Sequence, residues 1–172
     1  MTFLLQMAGL PGSGKSALAA AVGRCTGAVV IDKDVIMAGA MRAGVAREDS
    51  GAVAYEVGYD LASSILGAGH SVILDSPANF VRIREQGSAV ASDAGASYYI
   101  IECVVTRELA EERIKGRRPT HSLHPSTLDG LDVDFDRPGT APLDEPRLVL
   151  DGSLSTEELL PHALEYIKHD QG

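Results

Sequence analysis

The 172 residues, 45% of them hydrophobic, suffice for one domain with a real core and are too few for two enzymes. A formal net charge of -9 argues against a general grip on nucleic acid, which needs a basic face, but leaves room for a locally positive nucleotide pocket. Cys25 and Cys103 lie far apart without metal-ligand spacing and read as two small buried hydrophobes in a reducing compartment.

In chain order, Phe3 to Ala8 reads as a strand and Lys15 to Cys25 as an alanine-rich helix. Ala28 to Ile31 is a second strand, Lys33 to about Met41 is helical, and Glu48 to Leu66 is a longer helix closed by Gly67-Ala68-Gly69. Ser71 to Asp75 is a third strand ending in an acid, and Phe80 to Ala94 a helix before the turn at Gly95. Ser97 to Val104 is the fourth strand, Arg107 to Arg118 a helix, Arg147 to Asp151 the fifth strand and Ser155 to Lys168 the last helix. That helix opens with Ser155 as N-cap and Glu158 at the capping-box position. Strands alternating with helices imply an α/β fold: a parallel sheet covered on both faces. No stretch is apolar enough to span a membrane, and the N-terminal run lacks the basic start of a signal peptide; a cytoplasmic protein is expected.

Between Pro119 and Pro146 the periodicity fails. Five prolines and six acids stand there against Arg137. A stretch of about 117–146 reads as a lid or substrate loop, with a solvated acidic loop as the alternative.

The chemistry concentrates in Gly9-Leu10-Pro11-Gly12-Ser13-Gly14-Lys15-Ser16, followed by Ala17. This is the phosphate-binding pattern G-x-x-x-x-G-K-[ST]. Its glycines let the backbone wrap a phosphate, and the following helix adds its positive end. Lys15 is placed to reach the β- and γ-phosphates of ATP and the Ser16 hydroxyl to ligate Mg²⁺. Asp75, at the end of an apolar strand, can hold the same metal or its water. Asp32 and Asp34 close the second strand in "VVIDKDV". A carboxylate there can take a proton from an attacking hydroxyl; either residue fits that role, while capping of the following helix fits Asp32 better than Asp34. In "ELAEERIKGRRP", Arg113 and Arg117 share a helix face and can stabilise charge on a transferring phosphoryl group, unless they merely pair with neighbouring glutamates. Ser76 and Asn79, after the third strand, join Asp32, Asp34 and Met37 on the expected acceptor side.

These motifs resemble the small P-loop kinases, the group of gluconate kinase, chloramphenicol phosphotransferase, zeta toxin and the polynucleotide kinase domain, and the short bacterial proteins called AAA-family ATPases or predicted kinases. The resemblance runs through "GLPGSGKS", "IDKD", "VILDS", "EERIKGRR" and "LVLDGSLSTEEL", nearly the whole chain. It implies a P-loop NTPase fold with a five-stranded sheet in the order 2-3-1-4-5, in one domain over 1–172. It implies that Asp34 activates the acceptor hydroxyl. Arg117 becomes the lid arginine on adenine or phosphates, and Asp151-Gly152-Ser153 the loop bordering adenine. Several relatives carry a basic residue three positions after the acid; here that position is Met37. The expected activity is therefore ATP-dependent phosphorylation of a small, partly apolar hydroxyl compound by a monomer or homodimer. A regulatory ATPase without an acceptor, and a nucleic-acid 5'-end kinase, are the alternatives.

Overall fold

The computed structural model describes residues 1–78, 81–116 and 146–168. The expected lid, Arg117, Arg118 and Asn79 lie outside the described residues. Among the described residues eleven elements follow one another: β1 (Phe3–Ala8), α1 (Lys15–Thr26), β2 (Val29–Asp32), α2 (Lys33–Arg42), α3 (Arg47–Gly67), β3 (Val72–Asp75), α4 (Val81–Asp93), β4 (Ser97–Val104), α5 (Arg107–Gly116), β5 (Leu148–Asp151) and α6 (Thr156–Lys168). The strands form one parallel sheet in the order β2-β3-β1-β4-β5, as expected.

The sheet is apolar on both faces because each face is covered. Leu5, Met7, Ile73, Ile101 and Cys103 pack with Leu18 and Val22 of α1 and with Leu159, Ala163 and Ile167 of α6. The three α6 residues recur at four-residue spacing, the stripe an amphipathic helix turns inward. On the other face Leu4, Ile31, Val72 and Leu74 meet Tyr59, Ala62 and Leu66 of α3. Central β1 is buried along its whole length, whereas edge β2 leaves Val29 and Val30 exposed. A parallel order that reverses beside β1 opens a crevice at the carboxyl ends of the strands. The loop after β1, the acids ending β2 and β3, and the turn after β5 all sit at those ends.

Local chemistry fixes the helix starts. The Asp32 carboxylate accepts from the Asp34 N–H at 2.8 Å and the Val35 N–H at 3.4 Å, and so caps α2. At α6 the Ser155 hydroxyl accepts from the Glu158 N–H at 3.3 Å, while the Glu158 carboxylate accepts from the Ser155 N–H at 2.9 Å. The predicted capping box is therefore formed. The cysteines depart from expectation in part: Cys103 is buried on β4, but Cys25, in the last turn of α1, is exposed.

Candidate active site

Gly9, Gly12 and Gly14 have φ values of 125°, 83° and 91°, the left-handed region that side chains avoid. This lets the chain fold back on itself, closing a turn in which the Ser13 N–H donates to the Leu10 carbonyl at 3.1 Å. The loop is also pressed from outside. A Cβ on Gly12 would lie 2.8 Å from the Ala110 carbonyl of α5. α1 then begins at Lys15, with Gly14 as a cap that lends no side chain. An N-terminus of this kind presents N–H groups to an anion. The Lys15 ammonium reaches back to the Leu10 carbonyl at 3.5 Å.

Asp75 is buried at the end of β3, and one of its carboxylate oxygens, Oδ1, has no hydrogen-bond partner. Burial pushes its carboxyl above the usual range, and the charges of Asp32 and Asp34 add to that push. The Lys15 ammonium and a hydrogen bond with the Ser16 side chain oppose it. Expected metal ligands Ser16 and Asp75 are thus brought together, with an orphaned anionic oxygen between the loop and the sheet. Among the described residues no cluster of three or more metal-ligating side chains occurs. A hydroxyl, one carboxylate and phosphate oxygens are the donor set that suits Mg²⁺, which keeps waters and leans on its nucleotide. The residues therefore fit the ion.

Opposite, on the β2 side, the two candidate bases separate. Asp32 is engaged in capping. Asp34, in the first turn of α2, pairs through Oδ1 with the Lys33 ammonium at 3.0 Å. Lys33 is held in turn over the Tyr55 ring, 5.6 Å from its centroid, and the Tyr55 hydroxyl donates to the Pro77 carbonyl at 3.2 Å. Met37, expected to make this side apolar, has the Lys33 ammonium 3.9 Å from its sulfur. An ion-paired lysine thus stands beside the apolar Met37. Ser76 lines a void of about 10 Å³ together with Lys33, Tyr55, Tyr59 and Leu74.

Sequence reasoning missed the support under this side. Gln6, inside an apparently apolar strand, is wholly buried. It accepts from the Tyr98 hydroxyl at 2.6 Å and donates to the Tyr59 hydroxyl at 3.2 Å. Tyr59 donates onward to the Ile83 carbonyl at 2.6 Å and stacks on Tyr55. Burial pushes the Tyr59 phenol up to about 12 and that of Tyr55 higher still, so both stay donors at neutral pH. A glutamine interrupting "FLLQMA" was the available signal. Buried Glu102, paired with Arg147 at 2.6 Å, also went unremarked in the apolar run of β4.

Arg113, at the C-terminal end of α5, binds backbone carbonyls of the phosphate loop and of the turn after β5. Its Nη1 donates to the carbonyls of Gly12 (3.3 Å) and Gly152 (2.6 Å), and its Nη2 to that of Ser153 (3.4 Å). Gly152 and Ser153, expected at the nucleotide, are thereby tied to the phosphate loop. A Cβ on Gly152 would collide with the Ser13 carbonyl oxygen.

Comparison with known proteins places this geometry. An APS kinase of Mycobacterium tuberculosis, solved in complex with AMPPNP and APS, superposes with a TM-score of 0.74 at 22% identity, over 97% of this chain and 98% of that one. A sugar kinase from Janibacter sp. HTCC2649 superposes with a TM-score of 0.72 at 19% identity, over 98% and 95%. These likenesses establish the fold, that of P-loop kinases. An uncharacterized protein of Mycobacterium tuberculosis is 29% identical over 126 residues, 66% of this chain and 25% of that protein. The chain thus spans about a quarter of the length of the curated relatives it matches. The AAA domain family (AAA_33) matches residues 4–135, and the chain belongs to that family.

Proposed function

We propose that the chain is an ATP-dependent phosphotransferase that moves the γ-phosphoryl group of ATP to a hydroxyl of a small molecule. One observation carries the reading. Across one crevice, a phosphate loop with Lys15 and the Ser16–Asp75 pair face Asp34, which stands in the first turn of α2 two residues beyond Asp32, the strand partner of Asp75. A nucleotide binder needs the first half alone. The second half offers a carboxylate free of capping duty, where an acceptor hydroxyl would lie. The resemblance in fold to an APS kinase that binds AMPPNP supports ATP as donor.

In this reading the backbone N–H groups at the start of α1 and the Lys15 ammonium hold the β- and γ-phosphates. Mg²⁺ held by Ser16 and Asp75 supplies charge neutralisation on the phosphate oxygens. Asp34 accepts the proton of the acceptor hydroxyl as its oxygen bonds to the γ-phosphorus. The bond from that phosphorus to the β–γ bridging oxygen breaks, and ADP leaves with the electron pair. Lys33 keeps a counter-charge beside Asp34 throughout, and Tyr55 keeps Lys33 in place. Arg117 remains the candidate for the charge developing on the phosphoryl group.

The test is ADP release across a panel of sugars, polyols, hydroxy acids, amino alcohols and aminoglycosides, repeated with Asp34→Asn. MgATP affinity should be unchanged in the variant, and transfer to the best acceptor should fall roughly 10²-fold or more, the range for losing a general base. Loss of ATP affinity together with transfer would move Asp34 into the nucleotide site. ADP release that no panel member raises above the solvent background would favour the regulatory ATPase.

A further inference from the structure

The Arg113 guanidinium joins two segments that lie far apart in sequence. The Gly12 carbonyl belongs to the phosphate loop, and the Gly152 and Ser153 carbonyls to the turn after β5. In a trans peptide the C=O and the next N–H point in opposite directions. Holding the Gly12 carbonyl outward therefore turns the Ser13 N–H inward, and there it is found, bonded to Leu10. The orientation of that one peptide decides how the rest of the loop faces a phosphate. Gly12 and Gly14 put no Cβ in the way of rotation, and glycine has the widest choice of backbone states. The Ser13–Leu10 bond favours one state from inside the loop, and contacts from outside can hold it there.

The turn after β5 is itself well fixed. The Gly152 N–H donates to the Val104 carbonyl at 2.8 Å, and the Ser153 N–H to the Asp151 carboxylate at 2.9 Å. Hydrogen bonds from Ser153 hold the Asp151 carboxyl below the usual range, with the Arg113 charge helping. A fork of planar donors can serve carbonyls on both segments at once, which a lysine's point charge does less well.

We propose that Arg113 is a positioning residue that sets the phosphate loop for its anion by locking the Gly12–Ser13 peptide to the turn at 152–153. It acts on the phosphate site through backbone carbonyls and need not touch the nucleotide. This rests on the P-loop reading above. It predicts that the phosphate chain alone, without a base, senses the arginine.

Two probes separate this from a contact to adenine: MgATP and magnesium tripolyphosphate, each titrated against the whole chain by calorimetry. With Arg113→Met both should bind at least ~10-fold more weakly, with the melting temperature kept within a few degrees. Arg113→Lys should recover only part of the loss for both. Weakened MgATP with unchanged tripolyphosphate would overturn the proposal and give Arg113 to the base. Unchanged binding of both would overturn it too. Should Arg113→Met fail to fold, Arg113→Lys decides alone: full parental affinity for tripolyphosphate rejects the clamp. A parent chain that binds neither probe would reject the nucleotide reading itself, and the clamp with it.

Discussion

The nucleotide side and the acceptor side of the crevice are built from different materials. The first is backbone: positive-φ glycines, a helix start and three carbonyls gathered by Arg113. The second is side chains: Asp34 on Lys33, Lys33 on Tyr55, and Tyr55 stacked on a tyrosine that a buried glutamine holds. A backbone cradle suits a ligand whose phosphates never vary. A relay of side chains can be altered one residue at a time, which suits the half of the site that selects among acceptors.

The largest expected effect belongs to the nucleotide side. Lys15→Ala should reduce ATP turnover by roughly 10²–10³-fold, the cost of removing a donor aimed at developing charge. Lys15 is only half-buried, and its ammonium lies against a loop carbonyl and outside the hydrophobic core, so the fold should survive. Circular dichroism and a thermal melt beside the turnover assay check both halves. Parental turnover in this variant would end the distinction between the two sides, since the cradle would then hold no nucleotide.

The acceptor side should break through its support. A Cβ on Gly87 of α4 would collide with the Gln6 amide oxygen and come within 3.1 Å of the Tyr98 hydroxyl. Gly87→Ala must push apart a hydrogen-bonded chain centred on the wholly buried Gln6. It should cost about 1–3 kcal/mol of stability, the range for overpacking and for buried polar groups left unpaired. Denaturant unfolding measures it. Transfer should fall more than MgATP affinity, because Tyr59 and Tyr55 shift while the phosphate loop does not. Equal losses in both would show that the two sides are one mechanical unit.

The same contrast governs what the sequence disclosed. The phosphate loop was legible because its function is a backbone shape, and glycine spacing writes that shape directly. Strand order followed from the resemblance, and helix starts from caps such as Ser155 and Glu158. Asp32 suited the cap better than Asp34 by position, but residue type alone left either able to act as a base. Only the hydrogen bonds from the N–H groups of 34 and 35 assign the cap to Asp32. The carbonyl partners of Arg113 were not legible, because they lie 39 to 101 positions away and carry no residue signature. Gln6 stayed hidden in an apolar run. A buried polar residue has meaning only with its partners, and Tyr59 and Tyr98 lie 53 and 92 positions off.

The smallest effect is also the one whose sign runs against intuition. Burial raises the Asp75 carboxyl, so the ionised group is less welcome in the folded protein than in the unfolded chain. A group with a raised folded pKa binds its proton more tightly when folded. Its cost is absent in acid, grows as pH climbs from the ordinary carboxylate range through the raised value, and is complete above it. Asp75→Asn removes an ionisation the ligand-free fold resists. The variant should therefore melt slightly higher than the parent at neutral pH, and the gap should close on acidification. The gain is held below the Gly87 loss because Lys15 and Ser16 already offset part of the burial cost. Adding Mg²⁺ and an ATP analogue should reverse the order, since a ligand bound only by the folded state stabilises in proportion to its affinity, and the parent keeps the metal-holding oxygen. Melts at several pH values, with and without ligand, give the whole pattern. A variant less stable at neutral pH without ligand, or a gap that ignores pH, would mean that Asp75 holds the nucleotide side together. It would not then be a charge kept there for the metal.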